Sequence, residues 1–285
     1  MKKFALLLAV IMVVTAFAAC GKTGNSGDTT PASTTAANTP ATDATTEEIT
    51  TEAAPVEVDD RTKSEGDMTY AEFIAAAADA PVTIEGFVQA KFEYSAAYGN
   101  TSLYLADADG AYYVYRWACT QEEYDAVNVG DKVCVKGIRQ SYHGEDEVSA
   151  PSGDKITVTV VGTDKKLYDA VDLTDKLGTD EMANYQNRKV TFTGLTVAAS
   201  KDPDQKEVAW LYKYNGTGSE GDDIYITFAK GDKTYTFLIE SDFCGKDTDV
   251  YKTLRELNIG DTVDVEAFLY WYDGINPHLT AVTKK

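Results

Sequence analysis

The chain has 285 residues, with 26 lysines and arginines against 46 aspartates and glutamates, a formal net charge of −20 at pH 7. So acidic a chain repels phosphate backbones and anionic membrane surfaces at long range, which sets a generic nucleic-acid role at a disadvantage. Beyond the first twenty residues there are three cysteines, Cys119, Cys134 and Cys244, whose odd number and wide spacing do not read as a disulfide framework. One Cys119–Cys134 bridge is the alternative to buried thiols, and no stretch beyond those twenty residues reaches transmembrane length.

Lys2 and Lys3 precede an unbroken apolar run from Phe4 to Val14, followed by TAFAAC. The run is too short to cross a bilayer as a mature helix, and its flanks are those of a secretory signal. The ending Phe17-Ala18-Ala19-Cys20 resembles the lipobox of bacterial lipoproteins, with Phe17 where that family usually has leucine. The resemblance implies a signal peptide over residues 1–19, cleavage before Cys20 and a lipid on the Cys20 thiol; a plain secreted protein cut after an A-x-A-like site is the alternative. Residues 20–65 are rich in Thr, Ala, Ser, Pro, Asp and Glu and hold no aromatic residue. Such a composition predicts a disordered tether whose coil span is on the order of 40 Å.

Ordered structure is expected from near Thr69. Thr69 and Glu72 stand at capping-box spacing ahead of an alanine-rich run, and Pro81 blocks its continuation, so a short helix leads into a strand over Val82–Ala90. From there the dominant period is two, with Gly, Asp and Asn between strands. The segments then repeat. VTIEGFVQA (82–90) matches VTFTGLTVA (190–198) at an offset of 108, and LYLADADG (103–110) matches IYITFAKG (224–231) at 121. NVGDKVCVKG (128–137) matches NIGDTVDVEA (258–267) at 130, and Tyr142-x-Gly144 matches Tyr272-x-Gly274 at the same offset. A constant order with a growing offset predicts one fold used twice.

Each unit reads as a strand, a loop, a hairpin turning at Asp109-Gly110 or Gly231-Asp232, a short helical link (121–127; 250–257), and two further strands opened by a Gly-Asp turn. Five strands with a small helix between the third and fourth is the plan of the OB-fold, a partly open Greek-key barrel. The GDKVCVKG and LYLADADGAYYVY blocks resemble OB-fold domains in lipoproteins of Gram-positive bacteria, over residues 82–160 and 190–283. An immunoglobulin-like sandwich is the rival, but it wants about seven strands per unit. The expected class is therefore all-β with minor short helices: two tandem OB-fold-like five-stranded Greek-key barrels, 66–163 with its leading helix and 164–285. Alternation predicts Val133 and Val135 facing the barrel, Lys132, Cys134 and Lys136 facing out, and Tyr113, Tyr115 and Trp117 sharing one face.

The step from 108 to 121 inserts 13 residues between the first and second strands of the second unit, carrying Trp210, Tyr212 and Tyr214. The aromatic stretch YWYDGINPH, with Tyr270, Trp271 and Tyr272, falls between that unit's fourth and fifth strands. In OB-folds these two loops and the sheet face between them bind oligonucleotides and oligosaccharides. Candidate ligand contacts are therefore Trp210, Tyr212, Tyr214, Tyr270, Trp271 and Tyr272, with Tyr142 as the first unit's counterpart of Tyr272. Rings there stack on bases or on the apolar faces of sugars, and the acidic background favours a glycan over DNA. The competing reading is structural: aromatic residues stabilise twisted hairpins and would equally cover a junction between two barrels. Packing ranks first, a glycan platform second and nucleic acid third.

Other chemistries find little support. Asp107-Ala108-Asp109-Gly110 opens like a calcium loop, but its glycine comes at the fourth position instead of the sixth, so a hairpin turn is expected. His143 and His278 are the only histidines and have no nucleophile motif nearby. No Cys-x-x-Cys or His-x-x-x-His pair suggests zinc, and Cys119 and Cys244 are expected as buried thiols. The functional expectation is a non-enzymatic binding or assembly module without cofactor or metal. It would be lipid-anchored on the extracytoplasmic face of the cell membrane, with a glycan or an envelope protein as partner. A single-stranded nucleic-acid binder and a structural spacer or partner-docking protein are the alternatives.

Overall fold

A computed structural model describes residues 61–285; the expected signal peptide, Cys20 and nearly all of the expected tether lie outside the described residues. Thr69 accepts a hydrogen bond from Glu72 N, and the Glu72 carboxylate accepts one from Thr69 N at 2.8 Å. This capping box starts helix α1 (Tyr70–Ala75), which sends Phe73 into the first barrel's core. The first barrel is built from β1 (Pro81–Lys91), β2 (Asn100–Ala106), β3 (Ala111–Ala118), α2 (Gln121–Ala126), β4 (Asp131–Tyr142) and β5 (Glu145–Ser149). Its strands run in the order β1-β2-β3-β5-β4, β1 pairs with β4 to close the ring, and β3 and β5 are parallel. Strand β6 (Thr157–Lys165) adds to β4 from outside the ring.

The second barrel follows the same plan. After β7 (Val171–Asp172) come β8 (Lys189–Val197), an insertion holding β9 (Ser200–Lys201), β10 (Glu207–Val208) and β11 (Trp210–Tyr212), then β12 (Ile224–Lys230), β13 (Lys233–Ile239), α3 (Asp249–Arg255), β14 (Thr262–Phe268) and β15 (His278–Lys284). The ring is β12-β13-β15-β14-β8, closed by β8 on β12, with β13 parallel to β15. Val82–Ala90 and Val190–Ala198 therefore occupy equivalent places, each pairing with the second and fourth strands of its own barrel. The chain forms two five-stranded OB-like barrels, and the sandwich alternative falls.

Period-two alternation makes both cores. Ile84, Leu103, Val133 and Val135 fill the first barrel; Phe192, Ile224, Val263 and Val265 fill the second. Lys132 and Cys134 face outward, as expected. Each full burial of such an apolar side chain stabilises the fold by roughly 1.5–3 kcal/mol. The Asn-x-Gly-Asp turns before β4 and β14 are built alike. Asp131 Oδ2 accepts from Asn128 N and Asp261 Oδ2 from Asn258 N, both at 2.8 Å, while Gly130 and Gly260 hold φ values of 91° and 92° that other residues adopt only with strain.

Two local departures have physical causes. Ile84 lies opposite Val135 and Phe192 opposite Val265, but Gly86 lies opposite Val133 whereas Leu195 lies opposite Val263. One extra residue is thus inserted in β8, at Gly194, whose φ of 64° makes a bulge. The second departure corrects an expectation: Trp117 does not share a face with Tyr113 and Tyr115. Arg116 adopts φ 51° and the β2–β3 register slips there, so Trp117 turns into the core beside Tyr112 and Val114.

Tyr113 and Tyr115 instead join a third apolar cluster, outside both barrels, with Phe92, Tyr104, Phe243, Phe268 and Tyr270. Tyr104 of β2 stacks on Phe268 of β14, centroids 4.3 Å apart and planes within 7°. Phe92 stacks on Phe243 at 4.7 Å, and the Tyr104 hydroxyl lies 2.9 Å from His278 Nδ1. This cluster joins the barrels. Phe268→Ala should remove on the order of 3–5 kcal/mol of packing. Differential scanning calorimetry should then show the single unfolding transition of the parent chain separating into two; one unchanged transition would contradict the coupling.

Candidate functional site

Beside this aromatic junction the two barrels enclose a cleft of about 890 Å³, within the usual range for small-ligand sites. The first barrel supplies Phe92, Glu93, Tyr113, Tyr115 and Arg116; the second supplies Tyr225, Glu240, Asp242, Tyr270 and Tyr272, with His278 and Asn276 also lining it. Local backbone geometry places them. Alternation in β3 sends Tyr112 and Val114 inward and leaves Tyr113 and Tyr115 facing the cleft, and the bulge at Arg116 sets its guanidinium 5.0 Å over the Tyr115 ring. Ser, Thr and Asn side chains on both barrels intersperse the rings.

The polar groups at the cleft are poorly matched by the protein itself. His278 is 2% exposed, stacks on Tyr270 at 4.4 Å and has no partner for Nε2 among the described residues. Burial drives its pKa down to about 3, so the ring is neutral at physiological pH. Asn276 Oδ1 is likewise buried without a partner among the described residues. The Glu240 carboxyl is pushed up to about 8, chiefly by burial, with Asp223 and Asp242 adding to the rise and Arg116 opposing it. Glu147 on β5, which pairs with Tyr113, is pushed up to about 7 by burial against the pull of Arg116. A protonated carboxylic acid donates one hydrogen bond and accepts others, which suits hydroxyl-bearing ligands.

The sequence-derived candidates divide between cleft and packing. Tyr214, Tyr270 and Tyr272 line the cleft, Tyr214 being 75% exposed. Trp210 and Tyr212 meet edge to face at 5.0 Å and pack against the second barrel's core. Trp271 lies against the first barrel: a Cβ at Gly144 would stand 2.9 Å from its Cδ1. Its backbone N–H donates to Glu145 at 2.9 Å, a fully buried carboxyl whose pKa burial raises and which Asn187 also holds, at 2.5 Å. Tyr142 is exposed, 6.0 Å from the Tyr272 ring. The equivalent turns of the two repeats thus meet. His143 stacks on Tyr272 at 4.2 Å, its Nδ1 lies 2.9 Å from Asp273 Oδ2, and its carbonyl accepts from Asp273 N at 2.7 Å.

Tyr113, Tyr115, Arg116, Tyr225, Glu240 and the pocket role of His278 escape the sequence reading. Their one legible signal is the pair of outward-facing tyrosines in AYYVYRW, where a solvated face would carry polar residues. The remaining candidates have structural roles. Asp107 Oδ1 accepts from Asp109 N and Gly110 N, and Oδ2 accepts from Lys63 Nζ at 2.6 Å and Tyr112 OH at 2.8 Å, so the carboxylate organises its hairpin turn. Among the described residues no group of three or more His, Cys, Asp or Glu is disposed to hold a metal. Cys119 and Cys244 are buried free thiols whose pKa burial pushes up to about 11, and Cys134 is a half-buried free thiol.

Because the folded-state pKa of Glu240 lies above the ordinary 4.5, its contribution to stability is complete below pH 4.5 and is lost as pH rises to about 8. Glu240→Gln should therefore gain on the parent chain across that window and stop gaining above about pH 8. Thermal melts of both at a series of pH values give the difference in Tm; a difference independent of pH would refute the assignment.

No known family model matches the chain, and no curated protein matches it. Solved structures similar to it include a replication protein A heterotrimer bound to single-stranded DNA, at 12% identity and a TM-score of 0.31, over 74% of this chain and 51% of that one. A murine DNA-binding protein bound with double-stranded DNA gives 12% identity and a TM-score of 0.32, over 71% of this chain and 97% of that one. The Ifi202 HINa domain in complex with double-stranded DNA gives 10% and 0.31, over 73% and 96%. The chain thus spans about half the length of the replication protein A chain it matches, and likenesses of this size do not bear on function.

Proposed function

We propose that the chain is a non-catalytic binding module, held at the extracytoplasmic face of the cell membrane by a lipid on Cys20, whose inter-barrel cleft takes a saccharide. The lipid anchor is supported by the Phe17–Cys20 motif, and the composition of residues 20–65 suits a spacer between membrane and barrels. The cleft carries the rest of the reading: Tyr115, Tyr225, Tyr270 and Tyr272 line it among short polar side chains. Sugars offer apolar C–H faces to rings and hydroxyls to polar groups, and both are accommodated without charge.

Single-stranded nucleic acid is the second reading, supported by the same ring faces and by the Arg116 guanidinium. Glu93, Glu240 and Asp242 oppose it, since any ionised carboxyl there repels phosphate, as does the overall charge of −20. A docking role for an envelope protein would use the exposed rim, where Tyr142 and Tyr272 are accessible.

The full chain is first screened on a glycan array, and hits are titrated by calorimetry beside an oligothymidylate. A neutral oligosaccharide should bind. Tyr115→Ala and Tyr272→Ala should each weaken it by about tenfold, the scale of a lost ring contact of roughly 1–1.5 kcal/mol. Trp210→Ala and Trp271→Ala should lower Tm instead. Tight oligothymidylate binding that weakens steeply with salt, with no saccharide bound, would replace this reading with the second one.

A further inference from the structure

We infer that the saccharide taken by the cleft carries a free ammonium group, as in an amino sugar with an unacylated nitrogen. The inference rests on the saccharide reading above and narrows it. Glu93, Glu240 and Asp242 line the cleft, and none of the three makes an ion pair or a side-chain hydrogen bond among the described residues. Among the described residues Arg116 is the cation lining the cleft and forms no ion pair; its guanidinium lies over Tyr115. Three carboxyl groups, the exposed Glu93 and Asp242 and the half-buried Glu240, thus line the cleft with one guanidinium that lies over a ring.

Glu240 lines the cleft together with Tyr113 and Tyr115 of the first barrel and Tyr225 and Tyr270 of the second. Its charge helps to raise the pKa of each of these hydroxyls. Aromatic faces attract a cation, and a desolvated carboxylate beside them attracts it more. Independent of the carboxyls, His278 Nε2 and Asn276 Oδ1 are buried at the lining without partners. Leaving a buried polar atom unpaired costs about 1–3 kcal/mol. An ammonium group brings three N–H donors and no acceptor, and Asn276 Oδ1 and the carboxyl oxygens are acceptors, while a sugar hydroxyl pairs with His278 Nε2 in either tautomer. A phosphate or carboxylate ligand would bring only further acceptors and negative charge.

The groups facing Glu240 also determine how binding couples to protons. Asp223 and Asp242 hold its proton on, Arg116 works to remove it, and the tyrosine hydroxyls stay neutral in the working range. Asp223 is itself occupied by the Ser241 hydroxyl and N–H, at 2.6 and 2.9 Å. An arriving ammonium ion adds the missing positive charge, so Glu240 releases its proton to solvent and the N–H donates to the resulting carboxylate.

The test is calorimetry on the full chain with a β-1,4-linked glucosamine tetramer, its fully N-acetylated counterpart, and spermidine as an ammonium source without sugar. At about pH 6.5 the free-amine tetramer should bind at least about tenfold tighter than the acetylated one, the scale of a charge-assisted contact of roughly 1.4 kcal/mol. Repetition in buffers of different ionisation enthalpy should report net proton release. Glu240→Gln, checked by circular dichroism for an intact fold, should bring the two tetramers to equal affinity, and Asp242→Asn should narrow the gap. Equal or tighter binding of the acetylated tetramer by the parent chain would overturn the inference and leave the saccharide reading standing. Spermidine binding as tightly as the free-amine tetramer would overturn the amino-sugar class, and failure of both tetramers to bind would remove the saccharide reading with it.

Discussion

The contact on which the rest of the structure depends is the stack of Tyr104 on Phe268, extended by the hydrogen bond between the Tyr104 hydroxyl and the His278 ring. Two barrels of this size, joined by a single link, would otherwise rotate freely against each other. Rings stacked at van der Waals distance exclude water and fix both separation and angle. The buried hydrogen bond then adds a directional constraint, because neither partner has water to turn to. With the barrels so fixed, the outward tyrosines of β3 and the loop between β14 and β15 converge on one space, and the cleft exists as a consequence of the packing.

Duplication explains why such a junction was available. Each repeat presents an aromatic turn between its fourth and fifth strands, and the two turns meet: the first contributes His143 and Gly144, the second Tyr272, Trp271 and Asp273. The repeats have diverged in complementary directions. Gly144 leaves room that the Trp271 indole fills, and Glu145 accepts the Trp271 N–H. The same divergence appears in the loops between first and second strands, where the second barrel carries the β9–β11 insertion and uses Trp210 and Tyr212 as a lid on its own core. An aromatic cluster in one stretch of sequence therefore serves two purposes. Tyr270 and Tyr272 face the cleft, and Trp271 between them secures the neighbouring barrel, as alternation along an extended segment requires.

Electrostatics separates the cleft from the surface around it. Aspartates away from the cleft, such as the buried Asp131 and the half-buried Asp222 and Asp261, accept backbone or lysine hydrogen bonds and sit below their ordinary pKa. Glu240 and Glu147 lack such partners among the described residues and are pushed in the opposite direction by burial. Partly buried carboxyls without partners disfavour folding at neutral pH, and Glu240, which lines the cleft, is one of them.

Strand order, hairpin positions, both Asn-x-Gly-Asp turns and the inward valines were legible in the sequence, because they follow from period-two patterning and turn chemistry that act within a few residues. The duplication was legible for the same reason: local pattern repeats along the chain whatever the barrels do in space. The slip at Arg116 and the bulge at Gly194 were not, since each depends on register with a partner strand, and one inserted residue reverses every side chain beyond it. Nor was the division of the aromatic residues between cleft and junction. Nothing within VTFTGLTVA or AYYVYRW states which outer face of one barrel will lie against the other. That choice is made by contacts among Phe92, Tyr104, Phe243 and Phe268, residues far apart in sequence whose apolar faces find each other only once both barrels have closed.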